Sequence, residues 1–121
     1  MVASRAFYES VGPMREDYFL YYEEVDWAMR RNAPLAYAPD ALVYHKGGAS
    51  IGSRTAQKRA SVLSLYYINR ARMMFLWRFR RRSVIGGLVY SLAKAAQLAI
   101  EGDTAGAGAL LRGTFQMRAP V

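Results

Sequence analysis

Apolar positions along this chain follow short, mixed spacings first and a long helical spacing afterwards. Phe7 and Val11 stand four apart, which predicts a short helix over 4–11. Gly12-Pro13 ends it, because proline disfavours helix in the residue before it and glycine frees the backbone. The aromatic run Tyr18-Phe19-Leu20-Tyr21-Tyr22 reads as extended chain, buried on at least one face. It leads straight into Glu23-Glu24-Val25-Asp26-Trp27, where Val25, Met29 and Trp27 predict a helix over 24–31. Acids fill its first turn and Arg30-Arg31 its last, the polarity that the helix dipole favours. Asn32-Ala33-Pro34 stops that helix. Leu35-Ala36-Tyr37-Ala38 and Ala41-Leu42-Val43-Tyr44 then predict two short strands around a Pro39-Asp40 turn. The second strand delivers His45, followed by a glycine-rich loop.

From about residue 55 the pattern becomes helical and long. Leu63, Tyr67, Met74 and Trp77 fall near one stripe over 55–79, interrupted by Arg59, Arg70 and Arg72. Basic residues crowd together at Arg78, Arg80, Arg81 and Arg82. A second helix follows, with Ile85, Leu88, Val89, Leu92, Ala96 and Ala99 at three- and four-residue spacing. Gly102-Asp103 closes it, and a short third segment covers 107–112.

At 121 residues the chain has room for one small domain, and 53% hydrophobic with 21% charged residues is a globular balance. No cysteine is present, which excludes a disulfide framework, a thiolate zinc site and a cysteine nucleophile. His45 is the single histidine, so no site can rest on two. The opening Met1-Val2-Ala3-Ser4-Arg5 lacks the apolar run of a secretory signal. The formal charge of +8 is uneven: residues 1–53 carry a net −2 and residues 54–121 a net +10. That asymmetry points to an anionic partner, whether nucleic acid, anionic lipid or a phosphorylated ligand.

The densest chemistry lies in Tyr21-Tyr22-Glu23-Glu24-Val25-Asp26-Trp27. Like charges this close raise one another's pKa, and a carboxylate so tuned is a candidate general base. The same acids also fit an ordinary solvated helix start. His45, at a strand end before Lys46-Gly47-Gly48, reads either as a hydrogen-bonded structural residue or as a binding group. The glycine loop matches neither a Walker motif nor a dinucleotide fingerprint. Trp77 and Phe79 beside Arg78, Arg80, Arg81 and Arg82 suit a membrane interface, with helix 83–100 lying along it; a solvated basic face suits the same residues. A nucleic-acid groove lacks its interleaved aromatic and basic pattern, so no nucleic-acid partner is expected.

Three features in order resemble one family. Asp17-Tyr18-Phe19-Leu20-Tyr21-Tyr22-Glu23-Glu24-Val25-Asp26-Trp27, with Arg30 beyond, resembles the second half of family 2 glycosyltransferases, the rhamnosyltransferase-like members in particular. Tyr37-Ala38-Pro39-Asp40-Ala41-Leu42-Val43-Tyr44-His45-Lys46-Gly47-Gly48-Ala49-Ser50 continues the match, and Tyr66-Tyr67-Ile68-Asn69-Arg70 resembles the helix that follows. The likeness covers roughly residues 1–82. It implies an α/β chain: a partial GT-A (nucleotide-diphospho-sugar transferase) domain with short strands, followed by a helical C-terminal tail. Residues 1–53 would be its acceptor-side, catalytic part and residues 54–121 a basic helical region.

The resemblance implies a nucleotide-sugar donor, a saccharide or lipid-linked acceptor, and Mn²⁺ or Mg²⁺. The family's general base falls on Glu24, one methylene longer than the usual aspartate, with Glu23 and Asp26 as the flanking catalytic acids. Tyr21, Trp27 and Arg30 would contact the acceptor. Lys46, Ser50 and Arg70 would contact the donor, and His45 would be a metal ligand. The second residue of the family's "RN" pair is Ala71 here, and Pro13 stands where its first helix ends in a second glycine. No DxD pair occurs, so the expected assignment is the acceptor-side and C-terminal portion of a glycosyltransferase, inactive without a donor half. The expected reaction is inverting, metal-dependent transfer in cell-envelope polysaccharide synthesis, at the inner face of the cell membrane. Strands cut from a larger sheet leave open edges and predict self-association. The competing expectation is a non-catalytic basic module that docks on anionic membrane or on a partner protein.

Overall fold

The computed structural model describes residues 2–31, 36–44 and 61–120, and these form helices and turns without a strand. In chain order the helices are α1 (Arg5–Val11), α2 (Glu23–Met29), α3 (Val62–Phe79), α4 (Val84–Ile100) and α5 (Thr104–Thr114). Single 3-10 turns at Glu16–Tyr18 and Arg81–Ser83 join them. The expected α/β architecture is therefore corrected to an all-helical one among the described residues.

The reasons for the missing strands are local. In the aromatic run, Phe19, Tyr21 and Tyr22 have φ of 64°, 65° and 66°, so the backbone turns left-handed where an extended path was expected. Such angles cost about 1–2 kcal/mol for each residue with a side chain. They splay the rings in different directions: Phe19 meets Tyr67 with centroids 4.7 Å apart, and Tyr22 meets Phe75 at 5.4 Å. Over 36–44 a turn closes from Ala41 N–H to the Ala38 carbonyl at 3.2 Å, as Pro39-Asp40 predicts. Its flanks pair with nothing in a ladder, and Tyr37 and Tyr44 stay exposed. A strand is stable only where a neighbour satisfies its backbone groups, and no neighbour is offered among the described residues.

Helices α3, α4 and α5 pack into the main body. Ser61 caps α3 by accepting from the Ser64 N–H, and Asp103 caps α5 by accepting from the Gly106 N–H at 2.8 Å. Gly102, at φ 84°, makes the left-handed turn that separates α4 from α5. Ala95, Leu98, Ala107 and Leu110 form the core, with Leu65 and Leu111 against it. The small residue Gly113 lets α5 approach the α3 backbone so closely that a Cβ there would collide with the Tyr66 carbonyl.

The buried faces differ from the stripes expected. In α3 the chain buries Ser64, Tyr66, Asn69, Ala71 and Met73, whereas Leu63 and Trp77 are exposed. In α4 it buries Ser91, Ala95 and Leu98 and leaves Ile85, Val89 and Leu92 in solvent. The helix is apolar on most of its circumference, so hydrophobic spacing alone could not choose the face. The small residues Ser91 and Ala95 permit the closer helix contact.

Candidate functional site

The acidic segment is built around one fully buried carboxylate. Asp26 is 0% exposed and accepts three hydrogen bonds: from Tyr18 Oη at 2.9 Å, Arg30 Nε at 2.7 Å and Arg78 Nη1 at 2.7 Å. Burial pushes its carboxyl up, but the bonds from Arg78, Arg30 and Tyr18 outweigh that and hold it below the ordinary carboxylate range. Burial and the bond to Asp26 push the Tyr18 phenol in the other direction, upward. Asp17, bonded by Arg15 and lying 4.0 Å from Arg78, is also held low.

This network fixes α2 against α1 and α3. Arg30 Nη1 donates to the Pro13 carbonyl at 2.8 Å, Trp27 Nε1 to the Gly12 carbonyl at 2.7 Å, and Arg70 Nη1 to the Asp17 carbonyl at 2.6 Å. The Trp27 ring is buried, with Phe7 edge-on at 4.9 Å.

The expected site residues therefore separate. Glu24, in the first turn of α2, is exposed and makes no hydrogen bond or ion pair among the described residues. Glu23 is half-buried, and its Oε2 is buried without a partner. Asp26, Trp27 and Arg30 are engaged in holding the segment together. Tyr21 bonds the Ser64 hydroxyl at 2.7 Å and lines a cleft. Arg70 clamps the 3-10 turn rather than standing free. His45, Lys46 and Ser50 lie outside the described residues.

A cleft of about 470 Å³ opens where Tyr21 and Tyr22 meet α3, α4 and α5. Its polar walls are Ser64, Asn69, Arg72, Tyr90 and Lys94. Leu65, Ile68 and Leu110 supply the apolar floor. Sequence spacing marks Arg72 only as an interruption of an apolar stripe. Its meeting with Lys94 on one cleft depends on the tertiary packing of α3 on α4.

The expected metal ligand, His45, lies outside the described residues. Among the described residues no three His, Cys, Asp or Glu side chains converge on one point, and Asp26 already has two guanidinium partners. No protein-family model, curated protein or solved structure matches the chain.

Proposed function

We propose that the chain is the acceptor-side and C-terminal portion of an inverting glycosyltransferase, with Glu24 as general base. The observation that supports this reading is the division of work within one short helix. Asp26 is buried and neutralised by Arg30 and Arg78, so it fixes the helix, while Glu24 two residues earlier is exposed and uncommitted. A base needs both properties, an open carboxylate and a rigid support. What favours glycosyl transfer over a solvated helix start is the ordered sequence likeness around it; the open carboxylate on a fixed helix is compatible with that role.

In this mechanism the acceptor hydroxyl approaches Glu24 and gives its proton to the carboxylate as its oxygen attacks the anomeric carbon. The new C–O bond forms on the face opposite the nucleoside diphosphate, whose own bond to the sugar breaks, and the configuration inverts. Tyr21 contacts the acceptor, since sugars stack on aromatic faces. Trp27 and Arg30 act through the fold, by positioning the helix that carries Glu24. The test is sugar transfer from nucleotide sugars to lipid-linked acceptors in membranes of the source cells. Deleting the chain should abolish one such transfer and its inverted product. Unchanged incorporation, or a product of retained configuration, would overturn the reading.

A second observation supports a membrane role for the tail. The outward face of α4 exposes Ile85, Val89 and Leu92, and Arg80, Arg81 and Arg82 are exposed at its start, with Trp77 61% exposed one turn earlier. The stretch Arg81–Ile100 has mean hydropathy 1.4 and is long and apolar enough to cross a bilayer by length and composition. Arginines beside an apolar face match an anionic bilayer surface, with the apolar side chains in the acyl boundary and the guanidiniums on phosphate. This reading makes the protein peripheral at the inner face of the cell membrane. It also stands alone as the non-catalytic alternative.

A further inference from the structure

The charge of Arg72 differs in kind from that of Arg78. Arg78 faces Asp26 and Asp17 and is neutralised by them. Arg72 has no carboxylate partner among the described residues. Its Nη2 donates to Asn69 Oδ1 at 2.5 Å and to Ser91 Oγ at 2.7 Å, and its guanidinium lies 4.4 Å from the Tyr90 ring centroid. All three partners are neutral. They fix the guanidinium's orientation without compensating its charge, and Arg72 Nε is buried with no partner. Lys94, on the same cleft, bonds the Gln97 amide oxygen at 2.8 Å and has no carboxylate partner among the described residues. Among the described residues no Asp or Glu lines the cleft. Placing two cations around one concavity without a counter-ion is unfavourable unless an anion completes it.

We propose that this cleft binds an organic phosphate monoester, with the phosphate between Arg72 and Lys94 and the ester's carbon body against Tyr22, Tyr90 and the apolar floor. A phosphate monoester carries nearly two charges at neutral pH and three acceptor oxygens, enough for a guanidinium and an ammonium together. Arginine supplies directional donors and lysine a mobile point charge. The volume of about 470 Å³ suits a small ester and not an inorganic ion alone. The inference does not rest on glycosyl transfer, because Glu24 is not part of the cleft. The phosphate could be that of a soluble ester or of a lipid headgroup.

The experiment titrates the full chain with phenyl phosphate by calorimetry. In parallel it measures binding to vesicles containing phosphatidic acid against vesicles containing phosphatidylglycerol at the same mole fraction. Lys94→Gln and Arg72→Gln are compared with a triple Arg80, Arg81, Arg82→Gln control. Lys94→Gln touches one exposed bond within α4, so it reports on the cleft even where Arg72→Gln perturbs folding. Saturable phenyl phosphate binding, weakened about tenfold or more in both cleft variants, supports a soluble ester. A phosphatidic acid preference lost in the cleft variants supports a headgroup. Binding that is absent in both assays, unchanged in Lys94→Gln, or lost only in the triple control overturns the proposal.

Discussion

Asp26 and Arg78 lie 52 positions apart in sequence and meet at 2.7 Å, joining the acidic first half of the chain to its basic second half. The net charges of the two halves, opposite in sign, thus meet at Arg78, which also lies 4.0 Å from Asp17. Arg30 completes the contact from the C-cap of α2, four residues after Asp26 and at 2.7 Å.

Asp26→Asn should destabilise the fold by about 3 kcal/mol, the low end for a broken buried pair because both guanidiniums retain solvent contact. Urea unfolding followed by tryptophan fluorescence, in a Trp77→Phe background so that Trp27 alone reports, measures it. An effect no larger than that of the exposed Arg5–Glu9 pair would show that the network is incidental.

The same network sets a pH dependence. Asp26 and Asp17 are both held below their ordinary value of 3.8, so the folded state binds fewer protons than the unfolded chain near that pH. Their contribution is fully present above about pH 5 and declines as pH falls through 4 and below. A urea midpoint that is flat between pH 6 and pH 3 would contradict this assignment, and Asp26→Asn should flatten most of the slope.

Gly113→Ala tests the closeness of α3 and α5. Helix propensity alone would favour alanine by about 1 kcal/mol. Because the new Cβ would meet the Tyr66 carbonyl, the net effect should be destabilising by about 1–3 kcal/mol. Gly86→Ala and Gly108→Ala, where nothing lies within 4 Å of the added Cβ, should be neutral or stabilising. Thermal melts of the three variants should therefore separate by sign.

For the membrane face, replacing Arg80, Arg81 and Arg82 by Gln should weaken binding to anionic vesicles by roughly a hundredfold, at about 1 kcal/mol for each arginine near the surface. Val89→Ser with Leu92→Ser should weaken it without lowering stability, since both side chains are largely exposed. Flotation in rising salt checks the electrostatic share. Cleft variant Lys94→Gln should leave this binding to phosphatidylglycerol intact.

Long periodic segments were the legible part of the fold: α3 and α4 lie within the stretches whose spacing expects helix, α5 spans the short third segment at 107–112, and Gly102-Asp103 follows the end of α4 as expected. Their faces were not legible, because α4 is apolar nearly all round and small residues chose the contact. The aromatic run at 18–22 misled, since strand propensity reports a ring's preference for a packed surface and not the backbone path that delivers it there. Left-handed angles at Phe19, Tyr21 and Tyr22 are tertiary effects with no local glycine to announce them. The sequence singles out the acidic segment 21–27 as a cluster of carboxylates. Which acid is buried and which is open depends on Arg78, and nothing in the spacing of 23–27 refers to it.

We propose that Glu24 takes a proton from the acceptor hydroxyl. The most direct test of this step compares turnover of sugar transfer for the native chain, Glu24→Gln and Glu24→Asp, each expressed from the native locus and assayed in membranes. The account predicts a fall of at least about a hundredfold for Glu24→Gln, with KM for the acceptor little changed and partial activity retained by Glu24→Asp. Turnover in Glu24→Gln equal to that of the native chain would contradict it.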